Sequence, residues 1–294
     1  MKKYAYFPGC SLEKMALSYH KSSLETTKAL GVELEELDDW NCCGATTYFH
    51  LDEILANTLV ARNLAIAEKE GLDFVAPCSA CYKNAYFTNT YMKEDEDLAE
   101  HINFALEADD LQLEGNMTVH HLIDIFANEI GADGIKEKVS VPLEGLRIAP
   151  YYGCQIVRPR KNGEEVEAPE FFEEILTALG AEAVDYTNKT RCCGGSLLLT
   201  NRKAALDMIR ILLYDAVQSG TDVIATACPL CQVNLEAYQT QVNEEFGTDF
   251  SVPVLYFTQL VGLALGIAPK KLGIGMELVS TLPVLSQFIA KEAR

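Results

Sequence analysis

Apolar and polar positions along this 294-residue chain alternate between two periods, and the alternation runs through twice. Short, nearly continuous apolar runs at 3–7, 32–37, 74–77 and 118–121 predict four strands, and runs at 146–152, 183–186, 223–227 and 254–257 predict four more. Between them lie stretches whose apolar residues step by three and four: 12–30, 51–70, 80–106, 169–179, 197–218 and 231–246. In the second of these, Ile54, Leu55, Leu59, Ala61, Ala65 and Ile66 set out the helical face. Gly31, Gly71, Gly180 and Gly220 stand where helices should stop. Strand–helix alternation at this spacing predicts an α/β fold with two duplicated, pseudo-symmetric halves, each a parallel Rossmann-like sheet with helices. The Gly- and Pro-punctuated stretch 131–145 is the expected linker, dividing the chain into residues 1–140 and 141–294. The residues after Pro269 have no counterpart in the first half and are expected to cap the second.

All ten cysteines obey the duplication. Cys10, Cys42-Cys43, Cys78 and Cys81 recur as Cys154, Cys192-Cys193, Cys228 and Cys231, and Asn84 and Asn234 match three residues beyond each final cysteine. The cysteines fall at predicted strand ends, which gather on one edge of a parallel sheet, where such folds place ligands. Vicinal cysteines do not readily bridge to each other. A tetrahedral zinc site takes four ligands and would idle one thiol in each half. Five thiols per half therefore point to a polynuclear iron–sulfur centre. Gly44, Gly194 and Gly195, next to the vicinal pairs, suit a close approach of backbone to sulfide and amide hydrogen bonds to a cluster, and equally the end of a strand or a turn.

Composition narrows the partners. A net charge of −19 argues against general nucleic-acid binding and against an anionic membrane surface. No apolar run is long enough to span a bilayer, and the opening residues do not read as a signal peptide, so a reducing cytoplasm is the expected compartment. No ferredoxin-type Cys-x-x-Cys-x-x-Cys run and no Gly-x-Gly-x-x-Gly turn occurs, so this chain is not expected to bind a flavin or nicotinamide, and its electrons must come from another polypeptide.

The doubled Cys-x(31–39)-Cys-Cys-x(34–36)-Cys-x-x-Cys pattern resembles the cysteine-rich CCG family, and within it the B subunits of heterodisulfide reductases. The resemblance implies two noncubane [4Fe-4S] clusters, one on Cys10, Cys42, Cys43, Cys78 and Cys81, the other on Cys154, Cys192, Cys193, Cys228 and Cys231. It implies reduction of the coenzyme M–coenzyme B disulfide to two thiols, the disulfide lying between the clusters and each cluster giving one electron. It also implies the C and A subunits of such complexes as partners and a hydrogenase or formate dehydrogenase upstream. The competing expectations are a CCG relay component of a quinone-linked succinate, lactate, glycolate or glycerol-3-phosphate system, and a non-catalytic metal-bound assembly module.

Both coenzymes are anionic, so an acidic chain must supply local cations. Arg158, Arg160 and Lys161 follow Cys154, and Lys189 and Arg191 precede Cys192; these are the candidate substrate contacts, set against a solvated surface cluster balanced by Glu164, Glu165 and Glu167. His120 and His121, at a predicted strand end, are candidate proton donors to product thiolates, or ordinary loop and core histidines. The acidic stretch 94–114 is read as a solvated helical face, with a docking surface for a basic partner as the alternative.

Overall fold

The computed structural model describes residues 2–45, 48–159, 166 and 168–289. Strands β1 (Lys2–Tyr6), β2 (Val32–Glu36), β3 (Phe74–Ala76) and β4 (Val119–His121) form one parallel sheet in the order β2-β1-β3-β4. Strands β5 (Arg147–Tyr151), β6 (Glu182–Ala183), β7 (Val223–Thr226) and β8 (Val254–Tyr256) form a second in the order β6-β5-β7-β8. The two halves thus repeat one topology, as their sequences predict. In each, the chain order reverses beside the first strand, and the crevice at that point opens at the strands' carboxyl ends.

The predicted helices form, with local corrections. The stretch read as one helix over 80–106 is two, Ser79–Glu94 and Glu96–Leu106, because the Asp95 carboxylate accepts from Leu98 N–H at 3.0 Å and starts the second. The stretch 231–246 likewise divides into Pro229–Ala237 and Gln239–Phe246. The helix Glu53–Lys69 begins where Asp52 accepts from Leu55 N–H, but it buries Ala56, Val60, Ala61, Leu64 and Ala65 and leaves Ile54 and Leu55 half-exposed. The expected linker is partly helical, at Gly131–Lys136.

One hydrophobic cluster joins the halves, running from Tyr4, Tyr6 and Tyr19 to Ile148, Phe172, Tyr256, Phe257 and Leu260. The helix Leu17–Ala29 packs on the helix Phe257–Ala264, which follows β8. It meets that helix through Ser22 and Thr26; Ser23 and Thr27 beside them are also buried, and all four hydroxyls bond back to carbonyls one turn earlier. Ser22 Oγ and Thr258 Oγ1 meet across the join at 2.6 Å. These small side chains let the helices approach closely: a Cβ on Gly262 would sit 3.0 Å from Thr26 Cγ2. The tail after Pro269 touches both halves instead of capping the second alone. Lys271 pairs with Glu25 at 3.4 Å and Gly273 lies against Ser18, while Glu277 accepts from Gln259 in the second half. No helix among the described residues is long and apolar enough to cross a membrane.

Candidate functional site

Each cysteine sits where the fold makes a loop converge. Cys10 follows β1 and Cys154 follows β5, the two strands at the topological reversal. Cys78 and Cys228 stand directly before the helices Ser79–Glu94 and Pro229–Ala237, which places Cys81 and Cys231 in the first turns, where bonds to neighbouring thiolates and burial push both thiols up. Cys42-Cys43 and Cys192-Cys193 lie in the loops after β2 and β6. The matching asparagines hold those loops: Asn84 Nδ2 donates to the carbonyl of Cys43 at 3.3 Å, and Asn234 Nδ2 to that of Cys193 at 3.1 Å. In the first half Asn63 adds a second clamp, accepting from Asn41 N–H and donating to its carbonyl, both at 2.9 Å.

The sulfurs converge. Cys43 and Cys81 Sγ are 3.1 Å apart and Cys193 and Cys231 Sγ 3.6 Å apart, too far for disulfides, and every cysteine is a free thiol. Within each half these two close pairs couple electrostatically to their neighbours, Cys43 and Cys81 to Cys42 and Cys78, and Cys193 and Cys231 to Cys192 and Cys228, with Cys192 coupled on to Cys154. Cys78 and Cys228, one from each half, are near enough for each to shift the acidity of the other. Crowding splits the acidities. Cys43 is lowered to about 4 by hydrogen bonds from Cys42 and Cys81, and Cys192 to about 2 by Cys154 and Cys193, while Cys42 and Cys154 are driven up by bonding to those same thiolates. Backbone amides of Gly44 and Ala45 point at Cys42 and Cys43, and those of Gly194 and Gly195 at Cys192 and Cys193.

Whether these residues fit a metal–sulfur group can be tested on the geometry. Among the described residues no three His, Cys, Asp or Glu donors surround one point as a single ion requires. The thiols instead form an extended all-sulfur set, a soft donor array of the kind that suits iron–sulfur clusters. Gly9 and Gly153 occupy left-handed backbone, and a Cβ on either would lie 3.2 Å from a sulfur, Cys81 Sγ or Cys231 Sγ. At the vicinal pairs the glycines answer a different demand: a Cβ on Gly44 would meet Tyr48 and one on Gly194 would meet Ala205. Tyr256, stacked on Tyr19 at 4.2 Å, is buried with a hydroxyl that has no hydrogen-bond partner among the described residues, and it lies close enough to Cys228, Cys78 and Cys231 to feel their charge. A sulfur-rich group bound among these thiols would give that hydroxyl an acceptor.

The candidate substrate cations scatter. Arg158 is exposed and its charge reaches Cys154 and Cys192. Arg160 and Lys161, with Glu164, Glu165 and Glu167, lie outside the described residues. Lys189 is not open to substrate: its ammonium is buried against Glu173 at 2.6 Å and Asp185 at 3.5 Å, and its carbonyl accepts from Tyr152 and Gly153 N–H. It holds the loop that leads to Cys192. Arg191 is exposed, and its carbonyl takes the Tyr151 hydroxyl at 2.7 Å. His120 faces Tyr4 and Asp73, the latter at the start of β3, the end remote from the cysteines. His121 is fully buried; Nδ1 accepts from Ile123 N–H and Nε2 meets Ser79 Oγ at 3.3 Å, so it fastens β4 to the helix that carries Cys81.

Lys83 did not stand out in the sequence. It is partly buried two residues beyond Cys81, with Nζ 5.5 Å from the centre of the Phe49 ring. Burial lowers its pKa, and the Cys43 and Cys154 sulfurs, one from each half, pull it back up. The signal was a break in the repeat, since Cys81-Tyr82-Lys83-Asn84 answers Cys231-Gln232-Val233-Asn234. A cavity of about 620 Å³ lined by Asp133, Lys136, Glu170, Glu173 and Lys189 includes none of the cysteines and is separate from this site.

Known proteins share this arrangement. The CCG family of cysteine-rich domains matches residues 4–84 and 148–236. The chain is 34% identical to the B subunit of the Ferredoxin/F(420)H(2)-dependent CoB-CoM heterodisulfide reductase of Methanosarcina acetivorans, over 99% of this chain and 97% of that one. It is also 34% identical to the 8-methylmenaquinol:fumarate reductase membrane anchor subunit of Wolinella succinogenes, over 95% of this chain and 97% of that one. A solved structure of a hypothetical protein from Helicobacter pylori superposes with a TM-score of 0.76 at 15% identity, covering 95% of this chain and 52% of that chain; it bears on the fold alone.

Proposed function

Because the chain belongs to the cysteine-rich CCG family, we propose that it is the component of a multisubunit oxidoreductase that reduces the coenzyme M–coenzyme B disulfide. The observation that supports this reading is the nearness of Cys78 to Cys228, one from each half, each shifting the acidity of the other, as expected if two five-thiol sets share one small molecule. Opening an S–S bond takes two electrons and yields two thiolates. In this reading each thiol set, Cys10, Cys42, Cys43, Cys78 and Cys81 or Cys154, Cys192, Cys193, Cys228 and Cys231, holds a noncubane [4Fe-4S] cluster, and each cluster supplies one of those electrons. The chain's own share is to hold the disulfide between the halves and keep water out. Electrons come from a ferredoxin-like partner, the C subunit, which is fed in turn by the flavin-bearing A subunit with its hydrogenase or formate dehydrogenase.

A second reading has a specific observation behind it. The Wolinella relative is as similar as the Methanosarcina one, and its name couples a menaquinol to fumarate. On that reading the same two centres relay electrons between a quinone pool in the membrane and a dehydrogenase or reductase. Anaerobically purified complex, mixed with the disulfide and a reduced low-potential dye, separates the two. Thiol release at the expense of dye supports disulfide reduction; electron exchange with a quinone and no thiol release overturns it.

A further inference from the structure

Lys83 is the one partly buried lysine described beside the cysteines, and no described carboxylate answers its charge. Asn84, its neighbour, bonds the carbonyl of Cys43, so the turn that carries Lys83 is fixed against the Cys42-Cys43 loop. Among the described residues no carboxylate stands within 4.0 Å of its ammonium, whereas Lys189 is held by Glu173 and Asp185. The Phe49 ring covers it from one side. A cation taken from water without a fixed anion is unfavourable, and it gains most when a ligand brings the anion. It stands two residues beyond Cys81, on the turn fixed to Cys43, and lies within electrostatic range of Cys43 in the first half and Cys154 in the second. The duplicated position is Val233, which makes the charge one-sided in an otherwise repeated site. In a chain of net charge −19 a negatively charged ligand is repelled from most of the surface, so a cation with no described carboxylate beside it offers such a ligand a place to bind.

We propose that the Lys83 ammonium binds an anionic oxygen group of the substrate and so sets which end of an unsymmetrical molecule faces which half. The inference rests on the disulfide-reducing reading for its substrate but is tested by binding. The probes are a small sulfonate thiol, 2-mercaptoethanesulfonate, and its neutral counterpart, 2-mercaptoethanol, titrated into the metal-loaded full chain and followed by visible absorption. With Lys83→Gln the sulfonate thiol should bind about tenfold or more weakly, the worth of one charge-assisted hydrogen bond, while the neutral thiol is unchanged. Lys83→Arg should keep most of the difference, because the charge is retained. Equal weakening of both thiols would overturn the proposal, since that marks a change in the site as a whole. Unchanged sulfonate binding, with only the reduction potential moved, would also overturn it and leave Lys83 as a counter-charge to the thiolates. If the complex releases no thiol from the disulfide while sulfonate binding still depends on Lys83, the disulfide reading fails and this inference stands.

Discussion

In the first half Cys10 and Cys42 are exposed, whereas their counterparts Cys154 and Cys192 are partly covered. The deeper cysteines do not differ: Cys43, Cys78 and Cys81 are buried, and so are Cys193, Cys228 and Cys231. Around them the copies diverge. The first half leaves Met15, Tyr48, Leu51 and Leu55 exposed in the segments that follow Cys10 and Cys42-Cys43. The second buries Ile156 and Val157 directly after Cys154 and anchors the loop before Cys192 through Lys189 and Glu173. The spacing of sulfurs is therefore held in common, and access to them is what the two copies no longer share.

The strongest way to break the comparison is to remove one inner thiol from each half. Cys43→Ala and Cys193→Ala should each lower bound iron from about eight atoms to about four, read by metal analysis. Each should also cut thiol release by roughly a hundredfold or more, because residues acting as one unit fail together. If only one variant lost turnover, the halves would not act jointly on a single molecule.

Tyr19→Ala comes next. Tyr19 stacks on Tyr256 at 4.2 Å and donates to the carbonyl of Ala227, so it ties the halves together beside Cys228. Loss of a buried aromatic of this kind costs about 3–5 kcal/mol. In urea, one shared transition should move to lower denaturant. Two separate transitions would mean that the halves fold independently despite their common core.

Lys189→Met should act on the second half alone. It leaves Glu173 part-buried without its cation, a loss of about 3 kcal/mol at the upper end for a broken buried pair. The acid–base sign is set by the raised lysine: burial alone would lower its pKa, but the hydrogen bond and charge of Glu173 win. Its contribution is thus complete below the ordinary 10.5 and is lost as pH climbs through the higher folded value. Wild-type protein should lose stability above pH 10.5 more steeply than the variant, measured by thermal unfolding across that range.

The strand pattern and the cysteine repeat were legible because burial and ligation both leave periodic marks. Each predicted strand overlaps an observed one, and Asn84 and Asn234, noted for their shared offset, hold equivalent carbonyls. The join between the halves was not legible. Its buried helix carries Ser22, Ser23, Thr26 and Thr27, polar in sequence, whose hydroxyls bond to their own backbone and, at Ser22, to Thr258 across the join. Lys189 read as a free cation because Glu173 lies sixteen residues away in the chain and across a turn of structure. Ile54 and Leu55, counted in the apolar pattern of their helix, lie half-exposed, and its buried face is built from Val60, Leu64 and small alanines. Periodicity reports which side of a helix is apolar; it does not report how closely the neighbour approaches, and at both places a close approach chose small side chains.

The smallest expected effect sharpens the comparison most finely, because it contrasts two hydroxyls on one stacked pair. Tyr19 donates to Ala227 O at 3.2 Å, so Tyr19→Phe should cost about 1 kcal/mol whether or not metal is bound. The Tyr256 hydroxyl has no such partner among the described residues. In metal-free protein Tyr256→Phe should therefore lie within about 0.5 kcal/mol of wild type, or be slightly stabilising. Its counterpart in the first half is His121, whose ring nitrogens are taken up by Ile123 and Ser79, so the free donor exists on one side only. If a sulfur-rich group binds among Cys78, Cys228 and Cys231, the hydroxyl acquires an acceptor there, and Tyr256→Phe should then cost about 1 kcal/mol in the loaded form and lower one reduction potential while leaving the other in place. Equal stability of wild type and variant in both forms would mean that the hydroxyl points away from the bound group, and the one-sided tuning would be lost from the comparison.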